Sequence, residues 1–525
     1  MTSCTLAANE TLTKRFPIVI WVVHVTLSLL LLGCANLPTQ ANRSVTLSTD
    51  TLGPSAIQSI ATHSLDDVGA SGFQLLPVAS NAYATRIELV AQAQRSLDVQ
   101  YYLVGNDDVG HGFLRALRDA AMRGVRVRLL VDDLYTTGED PILSLLNKHP
   151  NVEVRLFNPF TAGRSSTLSR FLLELNRVSE LDHRMHNKMF VADAAVAILG
   201  GRNMADDYFM RRQDGNFVDL DVLAVGSIVK QVETTFDTYW NSAIVYPLSV
   251  VVDPAAVPNN PFDAFEELTS NATPAPKDNV PEPMLRYART VQQLRSGKLE
   301  LTQANAELFA DPVDKGARTG DPSMTTVRDH FQATVGKATH DVTLISPYFI
   351  PGKAGVERMK AARSRGVEIT VLTNSLASND VTLAHLGYSR YREDMARIGV
   401  RLFELSPKLT HDRNLLGRFS TSLGKLHGKV ALIDKRYLFV GSMNLDDRSE
   451  YKNTEVAILI DSPDLCAQIN SFLDFDSAYR VVLSPDGNLQ WRAWNGDTFD
   501  HDPETSVLKR FEIRALRPFV PDSEL

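Results

Sequence analysis

His186-Asn187-Lys188-Met189-Phe190-Val191-Ala192-Asp193 and His427-Gly428-Lys429-Val430-Ala431-Leu432-Ile433-Asp434 are two copies of one pattern: histidine, any residue, lysine, four residues, aspartate. Each histidine is followed 14 residues later by a glycine (Gly200, Gly441) and 17 later by an asparagine (Asn203, Asn444). With 12 histidines in the chain, ordinary residue usage would produce about 0.03 accidental matches to the short pattern. Two copies at equivalent places are a duplicated functional element. Strand alternation points His and Lys, two apart, to the same face. The apolar residues after each lysine bury the strand behind them, and a hairpin through Ala195–Leu199 or Tyr437–Val440 returns the asparagine to the same pocket.

The duplication extends outward from the motif. Ser96–Tyr102 reads as a strand, Gly110–Arg123 as a helix ending at Gly124, and Val125–Leu129 as a strand. Val342–Tyr348, Val356–Arg365 with Gly366, and Val367–Val371 repeat that order. A glycine after each helix suits a left-handed cap. Strand-helix-strand with short connections predicts βαβ units, so the fold class is α/β with a helix-covered sheet in each half. The halves are expected at 71–250 and 323–480. Residues 251–322, with prolines from Pro254 to Pro283, read as a linker or insertion. The Ser/Thr/Ala-rich stretch 35–70 reads as a tether and 481–525 as a C-terminal tail.

Lys188, Lys429, Asn203 and Asn444 can converge on one phosphate. Two ammonium groups and two amide donors would stabilise a phosphoryl group without a metal ion. A formal charge of −8 and the lack of a basic block argue against a nucleic-acid partner. Beyond the first 34 residues only Cys466 is left as a thiol, and no Cys/His cluster has zinc-site spacing, so neither disulfides, a structural metal nor a cofactor is expected.

With Gly200-Gly201-Arg202-Asn203 and Gly441-Ser442-Met443-Asn444, the two motifs resemble the duplicated signature of the phospholipase D superfamily. Similarity to its cardiolipin synthase-like branch extends over Gln100-Tyr101-Tyr102, Asp219-Leu220-Asp221-Val222, Thr373-Asn374-Ser375-Leu376 and Asn453-Thr454-Glu455. The resemblance implies two α/β/α sandwich domains about a pseudo-two-fold axis, with one composite site at their interface. It implies that one imidazole attacks phosphorus while the other protonates the departing alcohol. By that analogy His186 is the nucleophile and His427 the acid/base, and the sequence leaves the reverse assignment open. Each ring also needs an acceptor that fixes its tautomer. Glu455 is the expected acceptor in the second half. In the first half Asp214 has the same spacing from its histidine as Glu455, but Asp219 is preferred because it shares the strand context of Glu455. Asp193 and Asp434 complete the catalytic signature, although bracing the hairpin suits them better than touching substrate.

The implied activity is phosphatidyl transfer through a phosphohistidine, forming cardiolipin from phosphatidylglycerol and a second phospholipid. Phosphatidylethanolamine and cardiolipin are the other candidate lipid partners. Hydrolysis, as a phospholipase or less favourably a nuclease, uses the same residues, and an inactive interaction protein is the third reading. At the N-terminus, Lys14-Arg15, an apolar run from Phe16 to Leu32 and Leu31-Leu32-Gly33-Cys34 resemble a signal peptide (1–34) closing in a lipobox. Lipidation at Cys34 would anchor the protein in the cell envelope, on the periplasmic face with the outer membrane favoured. A retained transmembrane anchor in the inner membrane is the alternative.

Overall fold

The computed structural model describes residues 43–51, 53–67, 69–164, 166–174, 177–252, 260–270, 280, 282–315, 321, 323–408, 424–518 and 520. The expected leader, Cys34 and the first part of the tether lie outside them. In the first lobe the strands are β1 Ser71–Leu76, β2 Ser96–Tyr101, β3 Arg126–Asp132, β4 Val152–Phe157, β5 Arg184–Met185, β6 Met189–Ala192, β7 Val196–Gly200, β8 Asn216–Val218, β9 Asp221–Gly226 and β10 Val245–Pro247. Then comes β11, Thr302–Ala310. The second lobe holds β12 Asp341–Ile345, β13 Glu368–Asn374, β14 Arg401–Leu405, β15 Gly424–Leu426, β16 Val430–Ile433, β17 Tyr437–Gly441, β18 Asn453–Thr454, β19 Val456–Asp461, β20 Ala478–Leu483, β21 Leu489–Arg492 and β22 Thr498–Phe499.

Both lobes use one strand order. Pairing in the first runs β10-β4-β3-β2-β6-β7-β9-β1. In the second it runs β22-β21-β20-β14-β13-β12-β16-β17-β19. The βαβ units are parallel as expected, β2 beside β3 and β12 beside β13. Gly124 and Gly366 follow the crossover helices at φ 97° and 90°, a conformation that costs glycine little. Beyond these units the signature hairpins, β6-β7 and β16-β17, add antiparallel strands.

Strand β11 joins the two sheets. Its first residues pair with β1 (Thr302 to Phe73) and the rest with β19 (Ala310 to Val456), giving one open ladder through both lobes. The inner faces of the two sheets share a core in which Met189, Leu199 and Val222 meet Val430, Val440 and Ile458. Helices cover the outer faces, so the chain is a pair of α/β/α layers packed sheet to sheet. Burying such aliphatic side chains contributes about 1.5–3 kcal/mol each, and this shared core fixes the interface at which the site forms.

Two expected segments carry more structure than their composition indicates, and the C-terminal tail is packed. The 251–322 linker contains β11, whose weakly apolar sequence hides its role as the seam between sheets. The 35–70 tether is packed from its first described residues. Trp240 Nε1 donates to Thr46 Oγ1 at 2.9 Å, Ser48 binds Asp237, and Ile57 is fully buried. Hydroxyls of Thr46, Ser48, Ser55 and Ser64 bond to protein groups. In the 481–525 tail, β21 and β22 extend the second sheet. Trp491 is buried, its Nε1 donating to Glu404 at 2.8 Å, and Asp502 pairs with Arg392 at 2.8 Å. Among the described residues no helix is long and apolar enough to cross a membrane.

Candidate active site

Two short parallel ladders cross between the lobes and set the site. Strand β5 pairs with β18 (Arg184 to Asn453, Met185 to Thr454), and the next residue on each side is His186 and Glu455. Strand β8 pairs with β15 (Asn216 to Gly424, Val218 to Leu426), and the next residues are Asp219 and His427. Backbone bonds continue each ladder, His186 N donating to Thr454 O at 2.9 Å and His427 N to Val218 O at 2.8 Å. Each imidazole therefore meets a carboxylate of the opposite lobe: His186 Nδ1 lies 2.9 Å from Glu455 Oε2, and His427 Nδ1 lies 2.7 Å from Asp219 Oδ2. This corrects the expected pairing within halves. Sequence spacing shows that each lobe carries one acid, but not that parallel bridging exchanges them.

Both carboxylates accept from Nδ1–H, which assigns the tautomer and directs each Nε2 lone pair away from its acid. The two imidazoles share one field, since each also senses the lysine of the other lobe. Burial, opposed by Glu455, pushes His186 down to about 4. Burial and Lys429 push His427 down to about 3. Both rings are thus neutral near pH 7. Burial also lowers Lys188 well below the usual lysine range and brings Lys429 down to about 8. Burial alone would raise Asp219, but its bond to His427 and the nearby Lys429 hold it down at about 2. Glu455 is likewise held low against burial by His186 and Lys188. Two lysines face two carboxylates, and an arriving phosphodiester anion favours protonation of the bases around it.

The expected residues sort into two groups. His186, His427, Lys188, Lys429, Asn203, Asn444, Asp219 and Glu455 are all buried at the lobe interface. Lys188 Nζ donates to its own His186 carbonyl at 2.6 Å and lies over the Tyr102 ring at 5.2 Å. The side-chain oxygens of Asn203 and Asn444 have no hydrogen-bond partner among the described residues. Asp193 and Asp434 stand apart, which corrects their place in the catalytic set. At the hairpin tips, themselves in left-handed backbone, they accept backbone N–H groups of Gln94, Arg95 and Ser96, and of Thr339, His340 and Asp341. Asp214 pairs with Arg212 on the surface.

Several contributors escaped the sequence reading. Tyr208 OH accepts from Asn203 Nδ2 at 2.8 Å and lies 3.3 Å from His427 Nε2. Ser442 and Ser449 donate to Glu455. Asp132 accepts from Met185 N at 2.7 Å and Asn374 from Leu426 N at 2.8 Å, so each holds the residue before a histidine. A signal for them existed, because Tyr208 and Ser449 each lie five residues after a signature asparagine, and Asp132 and Asn374 end equivalent strands. Tyr348 donates to Asp380 at 2.9 Å, and Asp380 in turn acts on Lys429.

A family model described as cardiolipin synthase, PLD-like domain, matches residues 87–240 and 332–476, one copy per lobe. The chain belongs to the phospholipase D superfamily, in its cardiolipin synthase-like branch. It is an enzyme of the phospholipase D type, a phosphatidyltransferase. Cardiolipin synthase C of Escherichia coli is 37% identical over 460 residues, which cover 85% of this chain and 94% of that protein. Cardiolipin synthase A of Pseudomonas fluorescens is 25% identical, over 76% of this chain and 67% of its own length. The crystal structure of phosphatidylserine synthase from Haemophilus influenzae superposes with a TM-score of 0.55 at 12% identity, covering 87% of this chain and 96% of that one, and so shares the fold. In this phospholipase D fold the repeats matched by the family model are the two lobes, and the ladders between them make the composite site. Among the described residues no cluster of three or more His, Cys, Asp or Glu side chains is arranged to hold a metal ion.

Proposed function

We propose that the enzyme makes cardiolipin, moving a phosphatidyl group from one phospholipid to phosphatidylglycerol through a phosphohistidine at His186. The observation that carries the reading is the unequal state of the two Nε2 atoms. That of His186 has no hydrogen-bond partner among the described residues, whereas that of His427 lies 3.3 Å from the Tyr208 hydroxyl, with Lys429 Nζ beside the ring at 2.9 Å from Nδ1 and 3.2 Å from Nε2. A free, neutral imidazole nitrogen suits attack, and one held among proton-bearing groups suits acid and base work. Nε2 of His186 attacks phosphorus, and the donor alcohol leaves with the proton of protonated His427. The acceptor alcohol then gives its proton to His427 and attacks the phosphohistidine, which frees His186 and restores the acid. Lys188, Lys429, Asn203 and Asn444 surround the phosphoryl oxygens and offset the charge that builds on them.

Cardiolipin synthase C of Escherichia coli, by its name, makes the same product. The test is mass balance on vesicles holding labelled phosphatidylglycerol with or without phosphatidylethanolamine. Cardiolipin with stoichiometric release of a small alcohol is expected, whereas phosphatidic acid as the sole product would assign water as acceptor. The reading includes a periplasmic, lipid-anchored enzyme modified at Cys34. Incorporation of labelled palmitate that is lost in Cys34→Ala is the expected result, and labelling that persists would remove the lipidation site.

A further inference from the structure

On the outer face of the second lobe the helices Val327–Gly336 and Gly352–Ser364 leave a gap. Each turns a stripe at i, i+3, i+4 and i+7 toward it, Arg328, Phe331, Gln332 and Val335 from one and Gly355, Arg358, Met359 and Ala362 from the other. Stripes of this spacing ordinarily interdigitate. Here a cavity of about 230 Å³ lies between them, mostly apolar and floored by Val342, Leu344 and Ile369. Met443, Asn444 and Leu445, the segment that carries the second signature asparagine, also line it, with Asp446 and Glu450 just beyond. Arg365 lines it too, donating to Gly336 O at 3.2 Å. Between Gly355 and Arg365 the helix rises about 15 Å.

The first lobe fills the corresponding space, and the sequence says how. Counted back from the capping glycines, Phe113 stands where the second lobe has Gly355. Counted back from the central strands, Tyr83 stands where it has Arg328. Tyr83 packs on Phe209 with ring centroids 5.3 Å apart, and Phe113 on Tyr101 at 6.0 Å and Phe190 at 6.3 Å. Two aromatic plugs present in one lobe are replaced by a glycine and an arginine in the other.

We propose that this cavity is an acyl-chain site, taking one fatty-acyl tail of the phospholipid whose phosphate lies between His186 and His427. The inference rests on the phospholipid-transfer reading above. A mostly apolar cavity of this volume, lined both by a phosphate-side asparagine and by the apolar stripes of two helices, is matched in polarity by a single hydrocarbon tail. It is matched by neither a headgroup nor a soluble metabolite.

Two measurements on the full chain test the site. In the first, Phe331→Trp places a fluorophore in the slot, and phosphatidylglycerol with brominated chains in detergent micelles is the probe. Quenching beyond that of the native tryptophans is expected. In the second, Ala362→Trp and Met359→Trp plug the slot, with thermal melts confirming that each variant folds. For both variants KM for dioleoyl phosphatidylglycerol should rise about tenfold or more, because each methylene lost from burial weakens binding by up to about fourfold. The dihexanoyl lipid should keep its KM within about twofold. Absence of extra quenching together with equal effects on long and short chains would overturn the site, as would quenching by brominated free fatty acid alone. Quenching by brominated phosphatidylglycerol in a protein that transfers no phosphatidyl group would keep the site and sink the catalytic reading.

Discussion

Around His186 the orienting acid is Glu455, which accepts from the hydroxyls of Ser442 and Ser449; around His427 it is Asp219, with Gly201 and Tyr208 at the positions those serines hold in the other lobe. Each substitution has a steric reason. A Cβ on Gly201 would lie 2.3 Å from Asp219 Oδ1, so the side with the shorter acid has room only for glycine. Tyr208 is long enough to pass the acid and reach Nε2 of the histidine, where Ser449 stops at the carboxylate. Duplication supplied two equal frames, and a few side chains make one imidazole bare at Nε2 and the other attended.

The largest effects should separate the histidines. His186→Ala should abolish turnover, a loss of about 10⁴-fold or more, together with any phosphoenzyme trapped by acid quench. His427→Ala should still accumulate phosphoenzyme from a phosphatidyl donor with a good leaving group such as p-nitrophenol, because no proton is then needed. Phosphoenzyme in the first variant but not the second would exchange the roles.

Next come the crossed acids. Glu455→Gln and Asp219→Asn should each lower kcat by about 10²- to 10⁴-fold through the wrong tautomer of the partner ring. The bridging geometry requires the Glu455 change to suppress phosphoenzyme formation at His186. If Asp219→Asn suppressed it instead, the crossing of acids between lobes would be refuted.

A subtler difference is expected with pH. Neutral His186 predominates above its value of about 4, and charged Lys429 below its value of about 8. Because the reacting form carries a neutral His186 and a protonated His427, whose values are about 4 and about 3, kcat/KM should be greatest on the acid side of neutrality and fall toward alkaline pH, with a further steepening through about pH 8 as the ammonium of Lys429 is lost. Lys429→Arg should remove that steepening alone, and a steepening that stays at pH 8 in that variant would assign it to another group.

The smallest contrast lies at the hairpin tips. Asp193 is 3% exposed and binds three backbone amides, whereas Asp434 is half-buried. Asp193→Asn should cost about 1–3 kcal/mol in urea unfolding, and Asp434→Asn less, with kcat of both within about twofold. A large loss of kcat at unchanged stability would return these aspartates to the chemistry.

Much of this frame was legible because it is local or repeated. The βαβ units and their glycine caps follow from periodicity, and the His/Lys and Asn positions from a doubled motif. What was not legible depends on contacts distant in sequence. The partner of each imidazole is decided by a two- or three-residue bridge to the opposite lobe, and no local pattern reports which strand faces which. Strand β11 went unread because the apolar side of Thr302-Gln303-Ala304-Asn305-Ala306-Glu307 consists of alanines alone. In the fold Ala304, Ala306, Leu308 and Ala310 pack one face on the shared core, while the strand pairs first with β1 and then with β19. The serines and threonines of the N-terminal stretch suggested solvation for the opposite reason, since their partners lie on a helix nearly 200 positions away, as in the 2.9 Å bond from Trp240 to Thr46.

That doubly paired strand also governs how the molecule comes apart. Freeing either lobe would strip one end of β11 of its ladder partners and expose the apolar face shared by the two sheets. The lobes should therefore melt together in a single cooperative transition, leaving the descendants of a duplicated ancestor no separate stabilities to lose.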